Sequence, residues 1–486
     1  MKKILIWLIL FVGCNLYAQQ PKGVYYEIFV RSFNDANGDG IGDIPGITQK
    51  LDYLKELGIS GLWLTPIHPS PTYHKYDVVN YKAIDPEYGT LADYKILVQE
   101  AHKRGIKILL DLVVNHTSSE HPWFAASTGN ETPYKNYYVW KLDTTKQKEW
   151  YSNPKNPQEK YYAFFWERMP DLNFDLPEVR KEIIEVGKFW LTEVGIDGYR
   201  LDAAQHVYDA EDVVKNNEWW TQFRTELRKV KPDVFLIGEV WNKDSVVASY
   251  LKSSLDACFN FDLSRAITDA IKEGSASGFV EKLTHIHQLY ASYNPQFVDA
   301  TFVSNHDQDR YRSTFNGDEA KTKQAFMLLM TLPGLPFLYY GEEIGMLGKF
   351  PDEYRREPFL WSAANGANTN WEQPRYSNAQ TVDPLSVQQN QANSFYQFYQ
   401  TVIAFRNNNP ILAQGKLALT KLVEADTRLI AFELVDGKKR VLVLHNVSGE
   451  SLSLNAGKYK SLLFGNGFNL GKSVKLSAHG SVVLWL

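Results

Sequence analysis

Short apolar runs alternate along the chain with segments in which apolar residues recur at helical spacing. Several runs are apolar almost throughout, which is typical of parallel strands buried on both faces. Between them, helical spacing and stop signals such as Gly58 predict helices at 51–57, 91–104 and 178–194. Strands that alternate with helices in this way predict a (β/α)₈ TIM barrel. The eight predicted strands are 24–30, 59–66, 106–114, 196–203, 234–240, 257–262, 300–307 and 335–343.

Two stretches depart from this alternation. After the third predicted strand, a long connection rich in Trp, Tyr, Asn and Pro predicts a small inserted domain. From about residue 412, short strand-like runs separated by Gly and Asn turns predict an all-β C-terminal domain, a β-sandwich. We therefore expect the barrel to cover 19–114 and 176–411, the inserted domain 115–175 and the C-terminal domain 412–486.

Residues 1–18 have the features of a signal peptide, with two lysines, then an apolar run, then small residues that end at Ala18. We therefore expect export, to the periplasm or to the outside of the cell. The segment 11–14 also loosely resembles a bacterial lipoprotein box, so a lipid anchor on Cys14 stays open as an alternative. Cleavage after Ala18 would leave Cys258 as the one cysteine, which excludes an intramolecular disulfide. No other segment of the sequence is long and apolar enough to predict a transmembrane span.

The composition narrows the range of partners. Of 486 residues, 44% are hydrophobic and 22% are charged, and the formal net charge is −4. These are the proportions of an ordinary globular protein. A net negative charge gives no general attraction to nucleic acid or to an anionic membrane, so we expect no nucleic-acid partner and a substrate that is not a polyanion. We expect the protein to be a monomer.

Four acidic residues towards the ends of predicted strands draw attention: Asp111, Asp202, Glu239 and Asp307. In a (β/α)₈ barrel the C-terminal ends of the strands meet at one rim, where the chemistry of such proteins takes place. A single acid at a strand end could cap a helix or pair with an arginine. Several acids on one rim are harder to explain by structure alone, because like charges at close range repel each other.

Such a cluster suits glycoside hydrolysis, in which one carboxylate attacks the anomeric carbon while a protonated acid donates to the leaving oxygen. Arg200 precedes Asp202 by two residues, so both side chains point to the same side of a strand. We expect Arg200 to keep Asp202 ionised, as a nucleophile requires. Glu239 has apolar neighbours and Trp241 beside it, and we expect partial desolvation to raise its pKa, as a proton donor requires.

The segments that hold the four acids carry a family resemblance. They resemble the four signature regions of the α-amylase family of glycoside hydrolases, and they occur in the same order. The resemblance runs from about Tyr25 to the C-terminus. The matching segments are 111–116 (Asp-Leu-Val-Val-Asn-His), 198–202 (Gly-Tyr-Arg-Leu-Asp), 238–241 (Gly-Glu-Val-Trp) and 304–307 (Ser-Asn-His-Asp), with further matches at 61–66, 169–173 and 334–343.

The resemblance implies a retaining enzyme that cleaves α-1,4-glucosidic bonds in starch and maltooligosaccharides by double displacement. By this resemblance Asp202 would be the nucleophile, Glu239 the general acid and base, and Asp307 the stabiliser of the transition state. Asp111 would support the site without reacting. The residues that would bind the attacked glucose are His116, Arg200 and His306.

The segment 73–77 (Tyr-His-Lys-Tyr-Asp) resembles the family's loop after the second strand, where Tyr76 would stack on the sugar ring. Asp77 is typical of α-glucosidase-like members, whereas many endo-acting amylases have Trp there. Arg356 would pair with Asp77, close the non-reducing end of the site and favour exo action. Some α-amylases also carry Asp at this position, so endo action stays open. Lys75 stands where the family usually has Gly, which leaves the shape of the loop open.

The segment 35–43 places oxygen ligands at every second residue, as in the first part of an EF-hand loop. It is not an EF-hand, because Gly46 stands where the final bidentate Glu would be. Hard oxygen ligands suit Ca²⁺ or Mg²⁺, and the family resemblance implies a structural Ca²⁺. A second calcium site, also implied by the resemblance, would involve Asn115 and Asp171. The expected ligands of the first site are Asp35, Asn37, Asp39, the backbone carbonyl of Ile41, and Asp43.

Several alternatives stay open. An exo-acting α-glucosidase, an oligo-1,6-glucosidase, a transglycosylase, or a sucrose- or trehalose-acting member would share the same acids. A protein of another class would be a non-catalytic glucan-binding relative, but such relatives typically lose reacting acids that are all present here. The sequence therefore favours a secreted hydrolase that acts on an α-glucan or maltooligosaccharide substrate.

Overall fold

The computed structural model describes residues 21–129, 133–142, 148–364, 368–422, 426–455, 457–471 and 473–486. The strands of this part of the chain, in order, are β1 (Val24–Ile28), β2 (Ile59–Leu64), β3 (Lys107–Leu112), β4 (Trp140–Leu142), β5 (Trp150–Asn153), β6 (Asn156–Tyr162), β7 (Gly198–Leu201), β8 (Phe235–Gly238), β9 (Ala257–Phe259), β10 (Val298–Thr301), β11 (Leu335–Tyr339), β12 (Lys416–Ala418), β13 (Leu429–Asp436), β14 (Lys439–Asn446), β15 (Leu452–Leu454), β16 (Ser461–Leu470) and β17 (Val474–Trp485).

Eight parallel strands close into a barrel in the order β1-β2-β3-β7-β8-β9-β10-β11, which confirms the predicted (β/α)₈ fold. Every predicted barrel strand is present, and all eight end earlier than predicted. The strand predicted at 300–307 ends at Thr301, and the one predicted at 335–343 ends at Tyr339. Beyond these residues the chain leaves the hydrogen-bonded ladder and forms the loops of the C-terminal rim, where the site is built.

The three predicted helices are present, and the helix predicted at 91–104 begins with a capping box formed by Thr90 and Asp93. The helix predicted at 178–194 runs from Pro177 to Phe189 and continues as a π-helical turn that Gly195 ends at φ 85°. The α-helices are α1 (Val30–Phe33), α2 (Ile44–Gln49), α3 (Leu51–Leu57), α4 (Leu91–Lys103), α5 (Pro122–Ser127), α6 (Pro177–Phe189), α7 (Val213–Arg228), α8 (Asp244–Leu251), α9 (Phe261–Glu273), α10 (Phe279–Tyr293), α11 (Tyr311–Thr314), α12 (Glu319–Thr331), α13 (Asp352–Arg355), α14 (Leu385–Gln388), α15 (Phe395–Asn408) and α16 (Ile411–Gln414).

The connection between β3 and β7 contains α5 and a small antiparallel sheet in the order β4-β6-β5. An isolated β-bridge between His116 and Asp171 ties the beginning of this connection to its end. The sheet stands apart from the barrel ladder, as an inserted domain would. The bounds 115–175 stay a prediction.

The C-terminal strands form an antiparallel sheet in the order β12-β13-β14-β17-β15, with β16 paired to β17. One face of the sheet, which includes Phe432 and Val443, belongs to the same apolar core as the barrel. The other face, which includes Leu442 and Leu484, forms a separate apolar cluster. The structure thus confirms an all-β C-terminal domain, and its docking face shares a core with the barrel.

The predicted signal peptide and Cys14 lie outside the described residues. Within the described residues, no helix is long and apolar enough to cross a membrane. Cys258 is a buried, free thiol in β9.

Candidate active site

Backbone hydrogen bonds set the height of the acidic side chains on the barrel rim. The amide of Asp202 donates to the carbonyl of Leu112 at 3.2 Å, and the amide of Glu239 donates to the carbonyl of Leu201 at 3.0 Å. The residues directly after β7 and β8 therefore stay in register with the preceding strand. Their side chains meet at the C-terminal end of the barrel.

The guanidinium of Arg200 joins three of the acids. Its Nη1 donates to Asp202 Oδ1 at 2.6 Å and to the two carboxylate oxygens of Asp111 at 2.9 and 3.0 Å. Its Nη2 donates to Glu239 Oε2 at 2.6 Å. Arg200 is 1% exposed, so one buried positive charge serves three carboxyl groups. A bound proton is therefore favoured on at least one of them, because unbalanced negative charge is costly in a buried site.

The pKa values of Asp202 and Glu239 reflect this shared charge. Burial raises the pKa of Asp202 to about 6, against the lowering effect of Arg200 and with a further rise from Asp111. Asp202 is thus ionised at neutral pH, as expected. Its pKa is nevertheless raised, although we expected the neighbouring Arg200 to stabilise the carboxylate. Burial also raises the pKa of Glu239, where Arg200 opposes the rise and the charges of Asp202 and Asp307 add to it.

Asp307 lies between two cationic side chains. Its Oδ2 is 3.0 Å from His306 Nε2, and its Oδ1 accepts a hydrogen bond from Arg356 Nη2 at 2.8 Å. Burial alone would raise the pKa of Asp307, but His306 and Arg356 hold it far below its ordinary value. Burial lowers the pKa of His306, but Asp307 and Glu27 outweigh it and raise that pKa to about 10. His306 Nδ1 is 2.5 Å from Glu27 Oε1, so a buried chain of charges ends on Asp307.

Tyr76 and His116 lie beside this row of charged side chains. The hydroxyl of Tyr76 donates to Asp111 Oδ2 at 3.1 Å and lies 2.6 Å from His306 Nε2. His116 Nε2 is 3.2 Å from the backbone carbonyl of Tyr76 and donates to it. Burial lowers the pKa of His116 to about 4, so this histidine is neutral at physiological pH.

The structure corrects the expected pairing of Asp77 with Arg356. Arg356 binds Asp307 and lies 3.5 Å from Asp352, whereas Asp77 is fully buried. Asp77 Oδ1 accepts hydrogen bonds from the hydroxyls of Ser70, at 2.5 Å, and Thr72. Asp77 therefore fixes its own loop and does not line the cleft.

The acids open onto a cleft of about 520 Å³. Of the expected site residues, those that line it are Tyr76, His116, Asp202, Glu239, Asp307 and Arg356. Arg200 and His306 are buried beneath the cleft wall. Residues that the sequence analysis did not single out as binding residues also line it: His74, Phe165, Trp166, Gln205, Trp241 and Asp352.

Glu27, the buried partner of His306, was also missed, although the sequence carried a signal for it. Glu27 is a charged residue inside the apolar run of β1, and a buried charge in such a strand implies a partner. The aromatic residues Phe165, Trp166 and Trp241 are 47%, 38% and 48% exposed, respectively. Their place on the cleft depends on the course of long loops, and no short-range pattern predicts it.

Lys75 occupies a backbone conformation that explains why Gly is usual in this loop. Its φ is 66°, in the left-handed region, which costs a non-glycine residue about 1–2 kcal/mol. Its buried Nζ is 2.8 Å from both Asp85 Oδ2 and Glu87 Oε2 and donates to the carbonyl of Ser70 at 3.3 Å. These bonds offset the strain and hold the loop that carries His74 and Tyr76.

The expected metal loop has oxygen ligands whose charges repel one another. Asp43 caps α2, and its pKa is raised by burial and further by the charges of Asp35 and Asp39. A hard cation would relieve this repulsion, so the donor chemistry fits Ca²⁺ or Mg²⁺. In the described part of the chain, however, no group of three or more His, Cys, Asp or Glu side chains is arranged to hold a metal ion. The carboxylates instead accept hydrogen bonds from backbone amides of the loop. The metal stays a prediction.

The second expected metal position has one feature that fits a cation. Asn115 Oδ1 is buried without a hydrogen-bond partner, and Asn115 Nδ2 is 3.4 Å from Asp171 Oδ2. Burial raises the pKa of Asp171 to about 8, so this carboxyl group lacks a compensating charge.

We predict that Lys75→Met lowers the free energy of unfolding by about 3 kcal/mol, because it leaves the buried carboxylate of Asp85 without its cation. Urea denaturation followed by tryptophan fluorescence measures the change. Lys82→Met, at an exposed lysine nearby, is the matched control and should stay within about 0.5 kcal/mol of the wild type. Equal stability of the two variants would contradict the role given to Lys75.

Comparison with known proteins agrees with this geometry. Residues 27–415 match the family model described as the catalytic domain of alpha amylase. The chain is 44% identical over 430 residues to Alpha-amylase 3 of Dictyoglomus thermophilum, which covers 87% of this chain and 84% of the relative. It is 32% identical over 436 residues to 4-alpha-glucanotransferase of Thermotoga neapolitana, which covers 87% of this chain and 95% of the relative.

Solved structures lead to the same family. The crystal structure of alpha-amylase from H. orenii has 39% sequence identity to the chain and a TM-score of 0.88, and the match covers 96% of this chain and 100% of that one. With a family match across more than half of its length, the chain belongs to the α-amylase family of glycoside hydrolases.

Proposed function

We propose that the protein hydrolyses α-1,4-glucosidic bonds in starch and maltooligosaccharides with retention of the anomeric configuration. The bracing of two carboxyl groups by Arg200 carries this proposal. Its Nη1 and Nη2 each bind one of them, Asp202 and Glu239, at 2.6 Å. Two carboxyl groups on one guanidinium suit the spacing of roughly 5 Å found in retaining enzymes better than the wider spacing of inverting ones.

Each acid has an environment that supports one role. Asp202 attacks the anomeric carbon as a carboxylate and forms a glucosyl-enzyme. Glu239, whose pKa is raised, donates its proton to the leaving glycosidic oxygen and then accepts a proton from the incoming water. Asp307, kept ionised by His306 and Arg356, stabilises the positive charge that develops on the sugar. Tyr76 and His116 line the cleft where the attacked glucose binds.

Internal cleavage of chains is favoured over exo action. The pair that would close the non-reducing end requires Arg356 and Asp77, but Arg356 is engaged by Asp307 and Asp77 is buried. Transfer to a sugar acceptor is the second candidate, because the similar protein of Thermotoga neapolitana is named 4-alpha-glucanotransferase.

Incubation with amylose and with maltoheptaose, followed by chromatography of the products over time, tests the proposal. We expect mixed oligosaccharides from the outset and a loss of activity of roughly 10⁴-fold in Asp202→Asn. The matched control is Asp209→Asn, at an exposed acid of the same segment, which should keep wild-type activity. Glucose alone from the outset would indicate an exo-acting enzyme, and products longer than the substrate would indicate transfer. Equal rates for wild type and Asp202→Asn would exclude the proposed nucleophile.

The pH dependence of kcat/KM should have its acid limb at about pH 6. Asp202 must be ionised to attack, and its pKa of about 6 means that activity falls as the pH drops below that value. Asp307 does not contribute to this limb, because its pKa lies far below the ordinary range. Initial rates on maltoheptaose between pH 4 and pH 9 measure the limb. A limb near pH 4 would mean that Arg200 outweighs burial at Asp202.

We also propose that the loop 35–43 binds a structural Ca²⁺ through Asp35, Asn37, Asp39, the carbonyl of Ile41, and Asp43, and that the protein is exported. The repulsion among the loop carboxylates supports the first proposal, and the lysines and apolar run at the beginning of the chain support the second. When bound, the ion would neutralise the loop and strengthen its packing. It has no part in the reaction of the carboxyl groups.

Removal of the ion with EDTA should lower the Tm by several degrees, and added Ca²⁺ should restore it, because a ligand of the native state stabilises that state by mass action. Scanning calorimetry measures the shift without reference to activity. Asp39→Ala should abolish the Ca²⁺ dependence, whereas Asp436→Ala, at an exposed acid of the β13–β14 hairpin, should keep it. A wild-type Tm that is the same with EDTA and with Ca²⁺ would rule out the site.

A further inference from the structure

Arg356, the cation that pairs with Asp307, is held at both ends. It is 3% exposed. Its guanidinium nitrogens Nη2, Nε and Nη1 donate, in that order, to Asp307 Oδ1 at 2.8 Å, to the carbonyl of His306 at 3.0 Å and to the hydroxyl of Tyr73 at 3.1 Å. At the other end, the hydroxyl of Ser32 donates to the backbone carbonyl of Arg356. The position of the cation beside Asp307 therefore depends on these partners.

Two of the partners lead to the same side chain, Trp371. The rings of Trp371 and Tyr73 are stacked, with their centroids 5.1 Å apart and an angle of 19° between their planes. Trp371 Nε1 donates to Ser32 Oγ at 2.8 Å, and Ser32 in turn donates to Arg356. One indole ring thus contacts both the side chain that binds the guanidinium of Arg356 and the side chain that binds its backbone carbonyl.

Trp371 stands outside the cleft. Neither Trp371 nor Tyr73 lines it. Trp371 is partly buried against the apolar core that includes the barrel, and the guanidinium carbon of Arg31 lies 5.6 Å from the centre of its ring. Immediately before it, the amide of Asn370 donates to the carbonyl of Gly40 at 2.8 Å and so fixes the backbone. Any effect of Trp371 on the reaction must therefore pass through the residues that it contacts.

The hydroxyl of Tyr73 is a neutral acceptor for Arg356. Burial raises the pKa of Tyr73 to about 12, so the phenol keeps its proton at neutral pH. The contact is therefore a hydrogen bond to a neutral group, which weakens steeply when its distance or angle changes. The ring that stacks on Tyr73 consequently determines how well Arg356 Nη1 is held.

We propose that Trp371 is a positioning residue that acts on Asp307 through Arg356. It holds the guanidinium by way of Tyr73 and the backbone by way of Ser32. This inference rests on the proposed function, because it uses the role given to Asp307 in stabilising the positive charge on the sugar. A small displacement of such a charged group slows a reaction strongly. The indole ring thereby contributes to kcat without touching the substrate.

Two variants of Trp371 separate its contacts. Trp371→Phe keeps an aromatic ring to stack on Tyr73 but removes the N–H group that donates to Ser32. Trp371→Leu removes both contacts. The matched control is Trp485→Leu, at a partly buried tryptophan of β17 in the C-terminal sheet, which should keep the wild-type kcat. Arg356→Leu supplies a background in which the proposed route to Asp307 is absent.

We expect Trp371→Leu to lower kcat for maltoheptaose by about 10- to 30-fold and Trp371→Phe by about 3- to 5-fold, with KM within about twofold of the wild-type value in both. KM is spared because Asp307 stabilises a charge that develops only in the transition state. Arg356→Leu alone should lower kcat by about 100-fold. In that background Trp371→Leu should lower kcat by no more than about twofold further, because its route is already broken.

Steady-state rates on maltoheptaose give these values, and circular dichroism checks that each variant is folded. Equal losses of kcat in Trp371→Leu and Trp485→Leu, a loss confined to KM, or full additivity with Arg356→Leu would make Trp371 a packing residue and overturn the proposal. If Trp371→Leu does not fold, an unchanged kcat in Trp371→Phe overturns it. A wild-type protein without activity on maltoheptaose would overturn the proposed function itself. An active wild type with unaffected Trp371 variants would overturn the positioning role alone.

Discussion

One buried guanidinium holds the rim of the barrel together. Arg200 forms ion pairs with carboxyl groups that lie in or directly after three adjacent strands, β3, β7 and β8. The pairing of Asp111 with Arg200 in the β3–β7 ladder puts this contact in the sheet itself, so the closure of the barrel and the spacing of the reacting acids are one constraint. Removal of Arg200 would leave several buried carboxyl groups uncompensated, each of which is costly in a site closed to water.

The acids differ because their shares of positive charge differ. Asp202 and Glu239 share the guanidinium of Arg200 with Asp111. Burial raises the pKa values of Asp202 and Glu239. Asp307 has His306 and Arg356, and its pKa is depressed. Carboxyl groups of similar intrinsic acidity are thereby separated into one whose pKa is depressed and two whose pKa values are raised.

The sequence was sufficient for the features that depend on period and order. The apolar runs predicted all eight barrel strands, and the acids at their ends were expected on one rim because parallel strands bring their ends together. Features that depend on the path of a loop were not accessible. The expected partnership of Asp77 with Arg356 failed because Ser70 and Thr72, close in sequence, satisfy Asp77, while Arg356 meets Asp307 instead. The pKa of Asp202 was misjudged because the sequence reveals neither how strongly burial raises it nor that Asp111 shares Arg200.

Two aromatic residues of the cleft come from a different part of the chain than the acids, whereas Trp241 lies two residues after Glu239. Phe165 and Trp166 follow β6 of the inserted sheet, whereas Asp202 and Glu239 directly follow barrel strands. The β-bridge between His116 and Asp171 joins the two ends of the connection that contains this sheet. The acids and this part of the cleft surface are thus encoded in separate stretches of sequence. A mutation in the inserted segment can therefore reshape this part of the cleft surface without replacing any residue of the strand ends that hold the acids.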